Sequence, residues 1–87
     1  MNEQKTPPRL KAVEALENYR IKLVWNNNQV SQVDLTEPIF TLKSLSVLQD
    51  RDFFKTVRLG EWGWSIVWSD EIDIGVESLY RRSQMSA

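Results

Sequence analysis

The stretch YRIKLVW, residues 19–25, constrains the fold more than any other part of the chain. Its aromatic and aliphatic side chains recur at every second position, which is the period of a strand with one buried face. Three asparagines follow at 26–28, and asparagine tolerates the positive φ and the local hydrogen bonds of a hairpin turn. Residues 30–35 should pair back antiparallel, with a change of face or a bulge between Val30 and Val33. The sequence predicts a β-hairpin here.

The second half of the chain first changes period and then returns to a strand pattern. Leucines within 42–48 fall at helical steps, and Asp50 is a suitable N-cap for a second short helix over 51–56. Glycines then punctuate the β-rich segments 57–62 and 64–68, which predicts a second hairpin. Residues 76–82 are compatible with one or two closing helical turns. The predicted fold class is α+β: a small antiparallel sheet of four to five strands with two hairpins, covered by short helices.

Length and composition limit the organisation of the chain. Its 87 residues suit one domain, which we place at 9–82, with a disordered leader at 1–8 and a disordered tail at 83–87. Basic residues number 11 and acidic residues 12, and there is no cysteine. A chain without disulfides, and with no apolar segment of signal-peptide or membrane-spanning length, is expected in the cytoplasm and not in a membrane.

Catalysis and metal binding find little support in the sequence. The chain lacks histidine as well as cysteine, and no pair of carboxylates has a spacing typical of hydrolysis. The acidic stretch from Asp70 to Glu77 does not have the spacing of a calcium loop, so a solvated turn is the simpler interpretation. We therefore predict no enzymatic activity, no catalytic residue, no metal and no cofactor.

A set of short motifs runs along the chain in a fixed order. Its positions are Tyr19, Ile21, Leu23, Trp25, Asp34, Leu35, Leu45, Leu48, Phe53, Phe54, Val57, Ile66, Trp68, Asp73, Ile74, Leu79 and Tyr80. This order resembles a bacterial family, domain of unknown function 2442 (DUF2442), over about residues 9–81. The resemblance implies that residues 9–17, whose composition alone favours a helix, form a strand that pairs with 19–25. It implies no catalytic residues, and it implies regulation by binding.

The four tryptophans can serve as core or as contact residues. Alternation over 64–68 places three apolar side chains on one strand face, and buried indoles contribute much to a small core. The predicted core is Ile21, Leu23, Trp25, Leu48, Phe53, Trp64, Ile66 and Trp68. Trp62 flanks Gly63 at the turn, and we expect it to be exposed and available for a binding contact.

Two hypotheses for function remain. The first is a binding module that acts through protein–protein contacts, either with another small protein, as an antitoxin-like or regulatory partner, or with itself as a homodimer through an exposed strand edge. The alternative is a nucleic-acid-associated regulator whose basic strand face carries Arg20, Lys22 and Arg58. The net charge of −1 gives this alternative no long-range electrostatic support.

Overall fold

The computed structural model describes residues 8–85, and strands and short helices alternate along them. The elements are β1 (Leu10–Ala15), β2 (Arg20–Trp25), β3 (Val30–Asp34), α1 (Thr36–Thr41), a 3₁₀ helix (Lys43–Gln49), α2 (Arg51–Phe54), β4 (Arg58–Leu59), a second 3₁₀ helix (Glu61–Gly63), β5 (Ser65–Ser69), β6 (Ile72–Gly75) and α3 (Val76–Met85). The α+β class with antiparallel strands and short helices is confirmed.

The first sheet has the strand order β1-β2-β3, and both pairings are antiparallel. The strand implied by the family resemblance at 9–17 is therefore confirmed over Leu10–Ala15. Strand formation outweighs the helix propensity of this segment, because Val13 and Ala15 pair with Leu23 and Ile21 of β2 and pack against the core. Tertiary contacts thus decide the state of a segment whose local preference points to a helix.

The first hairpin, β2 with β3, forms as predicted, and it has no bulge. Its register runs without a break from Arg20–Asp34 to Val24–Val30, so the two valines of β3 simply lie on opposite faces. Val30 is 57% exposed and Val33 is buried. Asn28 adopts a φ of 74°, which is the conformation that the asparagine turn was expected to supply.

A second sheet contains β4, β5 and β6, so the strands form two three-stranded sheets where a single one was expected. Strand β4 is only two residues long, because the chain leaves the ladder at Gly60 and turns through the second 3₁₀ helix. The β5–β6 hairpin closes at Asp70 and Glu71, with a register shift between Val67 and Ser69. Neither Asp70 nor Glu71 has a positive φ, so this turn does not require glycine and Glu71 fits without backbone strain.

One hydrophobic core lies between the two sheets and the helices. Its buried members are Leu10, Ile21, Leu23, Trp25, Val33, Leu35, Ile39, Leu48, Phe54, Ile66, Trp68, Val76 and Leu79. Six of the eight predicted core residues are confirmed by burial. Phe53 is only half-buried, and the neighbouring Phe54 fills the core position, because it is the ring of α2 that packs on Trp68 at 5.9 Å between centroids.

The prediction that Trp64 belongs to the core is wrong, since its side chain is 46% exposed. Strand β5 begins only at Ser65, and Trp64 has a helical backbone conformation, with φ of −88° and ψ of −3°. The strict alternation assumed over 64–68 therefore fails at its first residue. Alternation can assign faces only within a continuous strand.

Helix α3 extends to Met85, which is three residues beyond the predicted end of the domain. The disordered tail expected at 83–87 is thus helical over 83–85. Residues 86–87, and positions 1–7 of the expected leader, lie outside the described residues. Within residues 8–85, no helix has the length and apolar character needed to cross a membrane.

Asp50 caps α2 as the sequence predicts, and this gives a first test of the fold. Its carboxylate accepts hydrogen bonds from the backbone N–H groups of Asp52 at 3.0 Å and Phe53 at 3.4 Å. We expect Asp50→Ala to lower the free energy of unfolding by about 1 kcal/mol, as for other N-caps. Urea denaturation measures the change. Asp50→Asn is the matched control, because asparagine caps nearly as well as aspartate; equal midpoints for the two variants would contradict the assignment.

Candidate binding surfaces

The most exposed aromatic side chain of the described residues lies on a tight turn at Gly60–Trp64, which we call the tryptophan turn. Trp62 is 74% exposed, and its backbone adopts a φ of 60°. The turn is closed by hydrogen bonds from the N–H of Gly63 to the carbonyl of Gly60 and from the N–H of Trp64 to the carbonyl of Glu61. The exposure predicted for Trp62 is confirmed.

Gly63 explains why the turn lies against the first sheet. Its φ is 75°, and a Cβ placed there would lie 2.3 Å from the carbonyl oxygen of Leu10. Only glycine permits both this backbone conformation and this approach. The turn is therefore held close to the start of β1, with Trp62 projecting away from the core.

The conformation of Trp62 is unfavourable for a bulky side chain. A left-handed backbone at a residue other than glycine, asparagine or aspartate costs on the order of 1 kcal/mol or more. Because the Trp62 ring is exposed, its burial within the domain offsets little of this cost. Such outliers concentrate at functional sites. The strained and exposed Trp62 is the strongest pointer to a contact surface.

Trp64 lies beside Trp62 and combines a structural with a surface role. Its backbone carbonyl accepts a hydrogen bond of 3.0 Å from the N–H of Val76, which ties the start of β5 to the start of α3. Its half-exposed ring is covered on one face by the guanidinium of Arg9, 5.5 Å from the ring centroid, a cation–π contact. Arg9, Trp62 and Trp64 together form what we call the tryptophan surface.

Of the three basic residues predicted as a nucleic-acid face, Arg20 and Lys22 share one sheet face and Arg58 lies in the other sheet. Arg20 and Lys22 lie on the outer face of the first sheet, where their cross-strand partners are Asp34 and Glu14. The two cations are thus matched by two carboxylates on that face. Arg58 lies in the other sheet and donates a hydrogen bond of 3.3 Å to the carbonyl of Trp68. No continuous basic stripe results from these three residues.

Asp34 ends β3, and its carboxylate accepts two hydrogen bonds from Thr36. The hydroxyl of Thr36 donates to its carboxylate at 2.6 Å and the backbone N–H of Thr36 donates at 2.9 Å. These two bonds, with a smaller contribution from Arg20, lower the pKa of Asp34 below its ordinary value, against a slight opposing effect of burial. The carboxylate therefore stays charged beside Arg20.

Two grooves of about 310 Å³ each indent the surface. One is lined by the β1–β2 turn and α2, with Glu17, Arg51 and Lys55 at its rim. The other, which we call the β6 groove, lies between α1 with the following 3₁₀ helix and β6 with α3; its lining is Pro38, Leu42, Ser44, Leu45, Asp73, Ile74, Gly75, Ser78 and Arg82. No cluster of three or more potential metal ligands occurs among residues 8–85.

Sequence reasoning did not find the β6 groove. It treated Leu42 and Leu45 as members of one helical face, whereas Leu42 is 49% exposed and Leu45 is only half-buried. Two residues that line the groove, Pro38 and Leu42, were the available sequence signal for it. Helix α1 ends at Thr41 and Leu42 has an extended backbone, so Leu42 does not continue the helical face. An amphipathic pattern by itself does not show which of its apolar residues the rest of the fold covers.

Comparison with known proteins identifies a family and a solved structure that are similar to this chain. The family model described as "Protein of unknown function (DUF2442)" matches residues 10–84. No curated protein matches the chain. The crystal structure of the "putative DNA binding protein NE0471" from Nitrosomonas europaea ATCC 19718 is similar, with a TM-score of 0.79 and 32% sequence identity. The match covers 95% of this chain and 52% of the Nitrosomonas protein, so the chain spans about half of that protein's length.

The hydrogen bonds to Asp34 predict a pH-dependent contribution to stability. Because the pKa of Asp34 is lowered in the folded state, its contribution is present above the unfolded pKa and is lost as pH falls through the folded pKa. Thr36→Val removes the hydroxyl donor, so the pKa of Asp34 should rise towards its ordinary value. NMR titration of the Asp34 carboxyl carbon measures this shift. Thr41→Val, which removes a hydroxyl bonded to the Glu37 carbonyl, is the control; an unchanged titration in Thr36→Val would contradict the assignment.

Proposed function

The chain belongs to the DUF2442 family, and from this premise we propose that it is a small binding module that acts through protein–protein contacts at the tryptophan surface. The observation that carries the proposal is Trp62, a strained tryptophan that is 74% exposed. Tryptophan and arginine are the residues most enriched at the energetic centres of protein interfaces. Arg9 and Trp64, which contact each other, supply these two residue types, and Trp64 is two residues from Trp62 in the chain.

The energetics of the tryptophan surface support a partner of apolar character. Excluding water from one indole ring contributes on the order of 2–3 kcal/mol to binding. Arg9 already partly covers the Trp64 ring, so less side-chain freedom remains to be lost there on binding. The tryptophan surface is therefore preorganised for an apolar contact.

The proposal includes no chemical step and no cofactor. The chain has neither histidine nor cysteine, and the module is proposed to act by occupying a partner's surface. We place this contact in the cytoplasm, where a chain without disulfides is at no disadvantage. The partner is a protein with an apolar pocket wide enough for the Trp62 ring.

Nucleic-acid binding is the second candidate function, and one observation favours it. The Nitrosomonas protein that is 32% identical over 95% of this chain is described as a "putative DNA binding protein". Almost half of that protein lies outside the match, and Arg20 and Lys22 here face carboxylates. These two facts rank DNA binding below the protein contact.

Removing the exposed ring should abolish a specific interaction without affecting the fold. We expect a protein captured from the native host by the wild-type chain to be lost with Trp62→Ala. With the purified partner, calorimetry should show affinity weakened by about 30-fold or more, the effect of truncating an interface hot spot. Val30→Ala is the matched control, because Val30 is similarly exposed on the outer face of the first sheet. Equal affinity for Trp62→Ala and wild type would refute the proposed surface.

The second candidate predicts a different dependence on salt. We expect a random-sequence DNA duplex to show no binding in fluorescence anisotropy at about 50 mM salt, because the outer-face cations Arg20 and Lys22 lie opposite carboxylates across the sheet. A phosphate reader would bind at low salt and lose affinity steeply by about 200 mM. Such binding, if weakened in Arg20→Ala and Lys22→Ala but unchanged in Trp62→Ala, would replace the protein-contact proposal by the nucleic-acid one.

A further inference from the structure

We propose that the β6 groove is a self-association surface, through which two copies of this chain pair their β6 strands antiparallel across a two-fold axis. This goes beyond the proposed function, because it concerns a different surface and a different partner. The tryptophan surface is left available to another protein. Three independent features of the groove support the inference.

The first feature is the unpaired edge of the second sheet. Strand β6 is the outermost strand of the order β4-β5-β6 and pairs only with β5. Apart from this ladder and the bonds within α3, residues 72–75 make no backbone–backbone hydrogen bond among residues 8–85. An exposed edge with unpaired N–H and C=O groups is a template for the addition of another strand.

The second feature is Gly75, at the end of β6. Gly60 and Gly63 are both required by close neighbours, whereas a Cβ at Gly75 would meet no atom within 4 Å, and its φ is an ordinary one. Close neighbours within the protomer therefore do not require glycine at 75, although glycine is an accepted N-cap for the α3 that follows. A glycine in a strand often marks the close approach of another backbone, and the lining of the β6 groove includes Gly75.

The third feature is the chemistry of the β6 groove, which is complementary to itself. Its apolar lining comes from Pro38, Leu42, Leu45 and Ile74, and Asp73 and Arg82 add one negative and one positive charge. A two-fold contact uses the same patch on both copies, so it must be self-complementary. Two grooves placed face to face can set the Asp73 carboxylate of each copy against the Arg82 guanidinium of the other. A uniformly charged peptide would match only one of these charges.

Sedimentation equilibrium over a range of concentrations tests this assembly. We expect the wild-type chain to form a concentration-dependent dimer, and Gly75→Val to raise the dissociation constant about tenfold or more, because the added side chain blocks the edge. The space at Gly75 is open, but Gly75 directly precedes the first residue of α3 and valine is a poor N-cap. The two chains are therefore compared under conditions where their melting curves show both to be folded. Gln32→Val adds an apolar side chain to the exposed face of β3 and should leave the dimer unchanged.

Charge reversal provides a second test that does not depend on Gly75. Asp73→Arg and Arg82→Asp should each weaken the dimer, and the double variant should restore it, because both cross-dimer pairs are then re-formed with opposite polarity. A wild-type chain that remains monomeric at about 1 mM, a weak-dimer concentration, would overturn the proposal. So would a dimer that neither Gly75→Val nor the single charge reversals weaken. Trp62→Ala should leave the dimer intact, which separates this surface from the tryptophan surface.

Discussion

The indole N–H of Trp68 donates a hydrogen bond of 2.9 Å to the carbonyl of Phe54 in the buried space between β5 and α2. This bond satisfies the one polar group of a buried tryptophan, which would otherwise be costly to place in the core. It also fixes α2 on the second sheet, where the ring of Phe54 lies against Trp68. In a chain of 87 residues without disulfides, a few large side chains must supply most of the core, and the other elements are arranged around this contact.

Trp25 plays the corresponding part in the first sheet. Its indole N–H donates to the hydroxyl of Ser31 at 3.0 Å, and its ring meets Tyr80 of α3 edge-on at 5.5 Å. Helix α3 thereby connects the first sheet with the end of the second, where the N–H of Val76 donates to the carbonyl of Trp64. Trp25 and Trp68 are thus buried in the core, whereas Trp62 and Trp64 of the tryptophan turn are exposed at the surface.

The same architecture separates the surfaces that remain available for binding. The break between β4 and β5 creates the tryptophan turn, while the short hairpin at the opposite end of β5 leaves β6 as an unpaired edge. On the first sheet, cross-strand pairing matches Arg20 with Asp34 and Lys22 with Glu14, so that face has little net field to attract a phosphate backbone. Both proposed contacts therefore use apolar groups and a strand edge more than net charge.

The sequence by itself determined the local structure: the first hairpin through its period of two, the helix break through the cap at Asp50, and six buried core residues through their spacing. It did not determine the division into two sheets, the exposure of Trp64, or which of Phe53 and Phe54 enters the core. Those features depend on where the ladder of β5 begins and on which ring of α2 faces Trp68. Spacing assigns faces within one continuous element, whereas contacts between elements distant in the chain, such as Gly63 on Leu10, decide where an element starts and which face is covered.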